Sequence, residues 1–201
     1  MKPFRFVVLI SGNGSNLQAL LDAAASGTLP AHIAAVISNK RDAFGLERAR
    51  NASIPALVKV KYKDQDRSEY DRELAELVES YSPDFVILAG WMRLLTPVFL
   101  DRFSYRVVNL HPALPGAFPG THAIERAFAA YQKGEITHSG IMVHYVVDAG
   151  VDSGPVIAQK NVPLYPQDTL EQFENRVHTC EHQVLVNAVQ TLIRQKEEED
   201  A

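Results

Sequence analysis

The sequence predicts an α/β fold: an open, mostly parallel sheet with helices on both faces and an antiparallel C-terminal strand pair. Three observations carry that prediction. Runs such as FRFVVLI (4–10) and DFVILAG (84–90) are almost wholly apolar, as strands covered on both faces are. Stretches with helical spacing of apolar residues alternate with them, the pattern of successive β-α units. After the proline-rich segment 109–122 and one further helix the pattern changes, and GIMVHYVVD (140–148) and GPVIAQKNV (154–162) follow one another across a short turn.

Taken in order, the first strand (4–10) is bounded by the cluster SGNGSN, after which LQALLDAAAS carries Leu17, Leu20 and Leu21 on one helical face and Gly27 ends the helix. HIAAVIS (32–38) is a strand, FGLERARNA (44–52) a helix and PALVKV (55–60) a short strand. A longer helix spans about Arg67 to Tyr81, with Tyr70, Leu74, Leu77 and Val78 as its buried stripe. The central strand 84–90 follows, then a short helix at PVFLDRF and the strand YRVVNL (105–110). AIERAFAAYQKG (123–134) is a helix closed by Gly134. The last helix runs from Thr169 to about Gln195 and gives way to a solvated, frayed acidic tail at about 196–201.

At 201 residues, 46% hydrophobic and 22% charged, the chain suits one globular domain spanning 1–201. A net charge of −4 gives no bulk attraction for nucleic acid or anionic membranes, so the expected partners are small molecules. Cys180 is the single cysteine, which excludes an internal disulfide and fits a reducing, cytoplasmic compartment. The N-terminal apolar run FVVLI is too short for a signal peptide, and no run approaches the roughly 18 residues of a membrane helix.

Several motifs carry chemistry, each with a plainer alternative. GNGSN (12–16) lies between a strand and a helix, where free N–H groups attract anions. It reads as a phosphate cradle or as a tight βα turn with Ser15 or Asn16 as N-cap. It lacks the last glycine of G-x-G-x-x-G and the Lys-Ser/Thr of a P-loop, which favours a single phosphate over a dinucleotide or ATP. Asn109 and His111 fall at the C-terminal end of a strand, where open α/β sheets place ligands, and point the same way. An asparagine amide can donate to an oxyanion, and a histidine can move a proton near neutral pH. Pro112 and Pro115 stiffen the loop; the alternative is a polar loop histidine. DAGVDSGP (148–155) supplies Asp148 and Asp152, either as orienters of a histidine or as ordinary turn residues. GWMRLL (90–95) offers apolar residues for a flat pocket and Arg93 for a carboxylate, or simply connects strand to helix. HTCEH places His178 and His182 four apart on a helix, a zinc-compatible spacing without a third ligand, so no metal is expected.

These pieces occur together and in order: ISGNGSNLQALLDA, ISNKRDAFGLERA, LAGWMRLL, NLHPALPGAFPGTHAIERA and GIMVHYVVDAGVDSGPVIAQ. Over about residues 5–190 the chain closely resembles the phosphoribosylglycinamide formyltransferases, a folate-dependent formyltransferase family. The resemblance implies the Rossmann-like formyltransferase fold and transfer of a formyl group from 10-formyltetrahydrofolate, as cosubstrate, to the amine of glycinamide ribonucleotide in the third step of de novo purine synthesis. No metal is implied, and the assembly expected is a monomer or homodimer. The resemblance makes Asn109, His111 and Asp152 the catalytic trio. Gly14, Ser15 and Asn16 match the loop that holds the substrate phosphate, and Glu181 the glutamate that touches the ribose. Met92, Arg93, Leu94 and Leu95 match the folate segment, with help from Arg67 and the turn from Asp148 to Asp152.

The chain departs from the pattern in two places. Many members carry HPSLLP after the asparagine where this one has HPALPG. The turn before Asp152 is longer by about one residue than in some members, which makes Asp148 a rival; the position directly before Ser-Gly-Pro favours Asp152. In the implied mechanism Asn109 and protonated His111 hydrogen-bond a tetrahedral oxyanion, and His111 moves a proton to the leaving nitrogen. Three rival readings remain: formyltetrahydrofolate hydrolysis or another formyl transfer on the same fold, a non-catalytic nucleotide-binding module, and a hydrolase using His178 and His182 with a metal. The hydrolase of formyltetrahydrofolate carries an added N-terminal domain, and the tRNA-directed transferase an added C-terminal one. Neither extension is present in these 201 residues.

Overall fold

A computed structural model describes residues 4–199. Seven strands form one sheet: β1 (Phe4–Ile10), β2 (Ala31–Ser38), β3 (Ala56–Val58), β4 (Phe85–Leu88), β5 (Val107–His111), β6 (His138–Tyr145) and β7 (Val156–Pro163). Their order across the sheet is β3-β2-β1-β4-β5-β6-β7. The pairs from β3 to β5 are parallel, and β5–β6 and β6–β7 are antiparallel. Helices α1 (Ser15–Ala25), α2 (Gly45–Asn51), α3 (Arg67–Glu79), α4 (Pro97–Leu100), α5 (Ala123–Gln132) and α6 (Leu170–Glu199) connect and cover the strands.

The apolar runs are strands because both faces are covered. Phe6, Val8 and Ile10 of β1 face a cluster shared with Leu17 and Leu20 of α1, Phe128 of α5 and Phe173, Leu185 and Leu192 of α6. Val7 and Leu9 face the opposite cluster, with Tyr70, Leu74 and Val78 of α3 and Phe99 of α4. Side chains alternate across a strand, so an unbroken apolar run is what two covered faces require. In the α3 stripe Leu77 is half-buried, while Asp71 is buried and its Oδ2 accepts from Thr96 N at 2.6 Å, which ties α3 to the start of α4.

Two local expectations change. Helix α1 is capped by Gly14 at φ 76°, with no side-chain cap from Ser15 or Asn16. Helix α6 continues to Glu199 instead of ending near Gln195, because lysine and glutamate are good helix formers; Asp200 and Ala201 lie outside the described residues. Among the described residues no helix is long and apolar enough to cross a membrane.

Candidate active site

Strand order reverses direction between β1 and β4, and open α/β sheets bind ligands beyond the C-terminal strand ends at such a point. Three segments meet there: the loop after β1, the 90–96 segment after β4 and the end of β5. The Oγ of buried Ser11 accepts from Met92 N at 2.8 Å, which fastens the first two together.

Asn109 and His111 sit on the same face of β5, and β6 pairs beside them with His144 opposite Asn109 and Met142 opposite His111. The turn after β6 brings Asp152 back to the pair. Its Oδ1 accepts from Asn109 Nδ2 at 3.1 Å, and its Oδ2 lies 3.2 Å from His111 Nδ1. Gly120 N donates to the same Oδ2 at 2.8 Å. Asp152 holds φ 51°, a left-handed conformation that costs on the order of 1–2 kcal/mol in a residue with a side chain. Gly154 makes the return possible: a Cβ there would lie 1.8 Å from the Tyr145 carbonyl oxygen. Any side chain would push the turn off β6 and carry Asp152 away from His111.

His111 is 4% exposed. Both ring nitrogens face oxygen, Nδ1 the Asp152 carboxylate and Nε2 the Phe118 carbonyl at 3.1 Å. Only the imidazolium can donate to both. Burial opposes that charge and prevails, holding the pKa below the usual 6.5. The Asp152 carboxylate and the Phe118 carbonyl pull it up, while His144 and Arg126 push it further down. Burial pushes Asp152 up, but His144, the Gly120 N–H and His111 outweigh it and hold the carboxyl below its usual 3.8. The site therefore pairs an ionised carboxylate with a neutral imidazole whose Nδ1 proton serves Asp152. Asp148 is exposed, and its Oδ1 accepts from Gly150 N at 2.7 Å within its own turn.

The loop after β1 forms a second corner. Gly14 is packed so closely on Gly45 that a Cβ would lie 2.7 Å from the Gly45 Cα, and its positive φ leaves the α1 N-terminus without a side-chain cap. Asn16 Nδ2 donates to Glu181 Oε2 at 3.2 Å, and His178 Nδ1 lies 2.8 Å from the same oxygen. Glu181 is buried and raises the pKa of His178. Asn16 Oδ1 is buried without a partner. The structure thus brings Gly14, Ser15, Asn16 and Glu181 together from opposite ends of the chain.

Beyond β4, Met92 and Leu94 project at 63% and 50% exposure, and Arg67 donates to the Leu94 carbonyl at 2.6 Å. The Arg93 guanidinium lies 5.1 Å from the centre of the Tyr70 ring. Leu95 is buried in the core instead and offers a ligand only its backbone. The segment remains irregular until α4 begins at Pro97.

His144 is the member of the site that sequence reasoning missed. It is 2% exposed, and its Nε2 lies 3.2 Å from Asn109 Nδ2 and 3.6 Å from Asp152 Oδ1. An ionisable residue inside the apolar run GIMVHYVV was the available signal. A cavity of about 420 Å³ opens between the 114–118 loop and residues 134–139; it meets the site only through Phe118 and includes none of Asn109, His111 or Asp152. Among the described residues no group of three His, Cys, Asp or Glu side chains is placed to hold a metal ion.

The profile of the family described as Formyl transferase matches residues 4–189. The chain is similar to the phosphoribosylglycinamide formyltransferase of Dictyostelium discoideum, at 49% identity over 94% of this chain and 98% of that one. It is similar to the enzyme of the same name from Escherichia coli K12, at 44% identity over 89% of this chain and 82% of that one. Among solved structures, glycinamide ribonucleotide transformylase 1 from Symbiobacterium toebii superposes with a TM-score of 0.86 at 42% identity, covering 93% of this chain and 86% of that one.

Proposed function

From a chain that belongs to the formyl transferase family, we propose phosphoribosylglycinamide formyltransferase activity, with 10-formyltetrahydrofolate as formyl donor and the amine of glycinamide ribonucleotide as acceptor. The observation that carries the reading is the convergence of Asn109 and His111 on one carboxylate, Asp152, at 3.1 and 3.2 Å. Acyl transfer to an amine needs an oxyanion donor beside a base that can hold and return a proton.

The amine nitrogen attacks the formyl carbon, whose oxygen becomes an oxyanion. Asn109 Nδ2 donates to that oxygen. His111 begins neutral and takes the proton that the attacking nitrogen releases, on Nε2, the nitrogen that Asp152 does not hold. As imidazolium its charge stabilises the oxyanion, and its Nε2 proton, shared meanwhile with the Phe118 carbonyl, then passes to N10 of the folate. The carbonyl re-forms, the bond from carbon to N10 breaks, and the products are the formamide and tetrahydrofolate. Asp152 fixes the ring and offsets the charge it gains. Neither a metal nor a covalent enzyme intermediate enters this sequence.

The second corner, at the loop after β1, is assigned to the phosphorylated substrate: Gly14, Ser15 and Asn16 for the phosphate and Glu181 for the ribose. Met92, Arg93, Leu94, the Leu95 backbone, Arg67 and the Asp148 turn are assigned to the folate. The chain works as a single domain in the cytoplasm. The test follows loss of the folate's formyl group with purified protein. Activity that needs both substrates, and falls about a hundredfold or more in His111→Ala, supports the reading. Formate released without the amine would make the protein a hydrolase.

A further inference from the structure

We infer that Arg126, on α5 outside the catalytic trio, is a positioning residue that sets the geometry of His111 and Asp152 by holding the 118–120 loop from behind. One nitrogen of its guanidinium donates to two successive carbonyls, Phe118 O at 2.7 Å and Pro119 O at 2.6 Å, and its Nε makes a longer contact of 3.4 Å to His122 O. The Phe118 ring lies under the same guanidinium, 6.0 Å from its carbon.

The two carbonyls so held are those of Phe118 and Pro119, and Phe118 together with Gly120, the residue after Pro119, touches the reacting pair. Phe118 O faces His111 Nε2 at 3.1 Å, and Gly120 N donates to Asp152 Oδ2 at 2.8 Å. A carbonyl has two lone pairs, so Phe118 O can serve Arg126 with one and face the imidazole with the other. While His111 is neutral, Arg126 supplies the donor that this carbonyl needs; when His111 takes up its proton, the carbonyl is already in place. Without Arg126 the carbonyls of Phe118, which sits at φ 45°, and of Pro119, which has no N–H, lose their protein donor, and the loop loses this tie to α5. Among the described residues no other α5 side chain donates to these two carbonyls.

The groups facing His111 are the Asp152 carboxylate, the Phe118 carbonyl, His144 and Arg126, and the positive charge of Arg126 lowers the affinity of the ring for a proton. Charge and geometry can therefore be separated. Arg126→Lys keeps the charge and loses the planar guanidinium with its reach to both carbonyls; Arg126→Met loses both charge and donor.

This inference rests on the proposed transferase reading for its kinetic readout, so the test uses two measurements. One is kcat and KM for formyl transfer across pH; the other is the titration of the His111 ring by NMR, which needs no turnover. In Arg126→Met, kcat is expected to fall by about ten- to a hundredfold, the loss typical of a displaced catalytic group, with KM for both substrates within about threefold. The acid limb and the His111 titration both move to lower pH, because the Phe118 carbonyl that the loop withdraws raises the pKa more than the Arg126 charge lowers it. In Arg126→Lys, which keeps the charge but holds the loop less well, kcat falls less and the titration also moves to lower pH. A His111 titration that in Arg126→Met does not move or moves to higher pH, as loss of the charge alone would have it, or a kcat within about twofold of wild type, overturns the inference while an active wild type leaves the transferase reading standing. An inactive wild type overturns the transferase reading, and the NMR titration then still decides whether Arg126 governs His111.

Discussion

The corner at β5 and the ridge after β4 are built on opposite plans. Asn109 and His111 belong to a strand paired on both sides, and Asp152 is held by Asn109, His111 and Gly120 N. The ridge is irregular chain whose Met92 and Leu94 stand out at 63% and 50% exposure. The loop after β1 lies between these extremes: its backbone is pinned by the Gly14–Gly45 contact, yet Asn16 Oδ1 has no partner. Groups that must act on a reacting atom are held within fractions of an ångström by rigid elements, whereas surfaces that recognise a ligand can wait for it on a loop.

The sharpest way to break this contrast is at the rigid corner. His111→Ala should lower kcat by roughly 10² to 10⁴, with little change in the denaturant midpoint. A loss below tenfold in steady-state assays would show that the rigid corner is not where the chemistry happens. Asp152→Asn should cost less rate but also move the pH profile. Because burial already holds the His111 pKa below 6.5, the acid limb of kcat/KM in wild type falls below that value. The carboxylate raises the pKa of His111, so removing its charge shifts the limb to still lower pH. A limb that moves to higher pH would mean that His111 is not the group titrating.

The pinned loop should respond in stability and in binding alike. Gly14→Ala places a Cβ 2.7 Å from Gly45 Cα at φ 76°, for which a cost of about 1–2 kcal/mol is expected in urea denaturation. The same change should raise KM for the phosphorylated substrate and leave KM for the folate alone. Glu181→Gln keeps the packing but removes the charge beside His178, so the His178 titration seen by NMR should move to lower pH. The smallest effect belongs to the ridge. Met92→Ala with Leu94→Ala should raise KM for the folate a fewfold and leave both kcat and the denaturant midpoint nearly unchanged, since these side chains make no core contacts to lose. A large drop in kcat there would erase the difference between ridge and corner.

Much of the fold was legible because its main signals are local. β1 and β4 read as doubly covered strands from their apolar runs, and the turns from glycine and proline. The pairing of Asn109 with His111 followed from a two-residue spacing on one strand. What escaped was whatever depends on partners distant in sequence. His144 could not be placed in the site until the antiparallel register set it opposite Asn109. Leu95 looked like its neighbours, but the approach of α3 and α4 buries it. Nothing local in the sequence singles out Arg126, although its two carbonyl partners lie only seven and eight positions back in the chain. The acidic end of α6 reads as a frayed tail, yet its lysine and glutamates carry the helix to Glu199.

By itself the sequence determined the order of elements, the buried faces and the strand ends where chemistry could sit, since periodicity and turn residues act over a few positions. The place before Ser-Gly-Pro favoured Asp152 over Asp148, but only tertiary structure brings it to His111, because that depends on Gly154 letting the turn close against Tyr145. It also decided the resting state of His111, because burial and neighbouring charge are properties of the packed site. Hydrophobic pattern is carried by each segment alone, whereas burial, register and field exist only once segments hundreds of atoms apart have met.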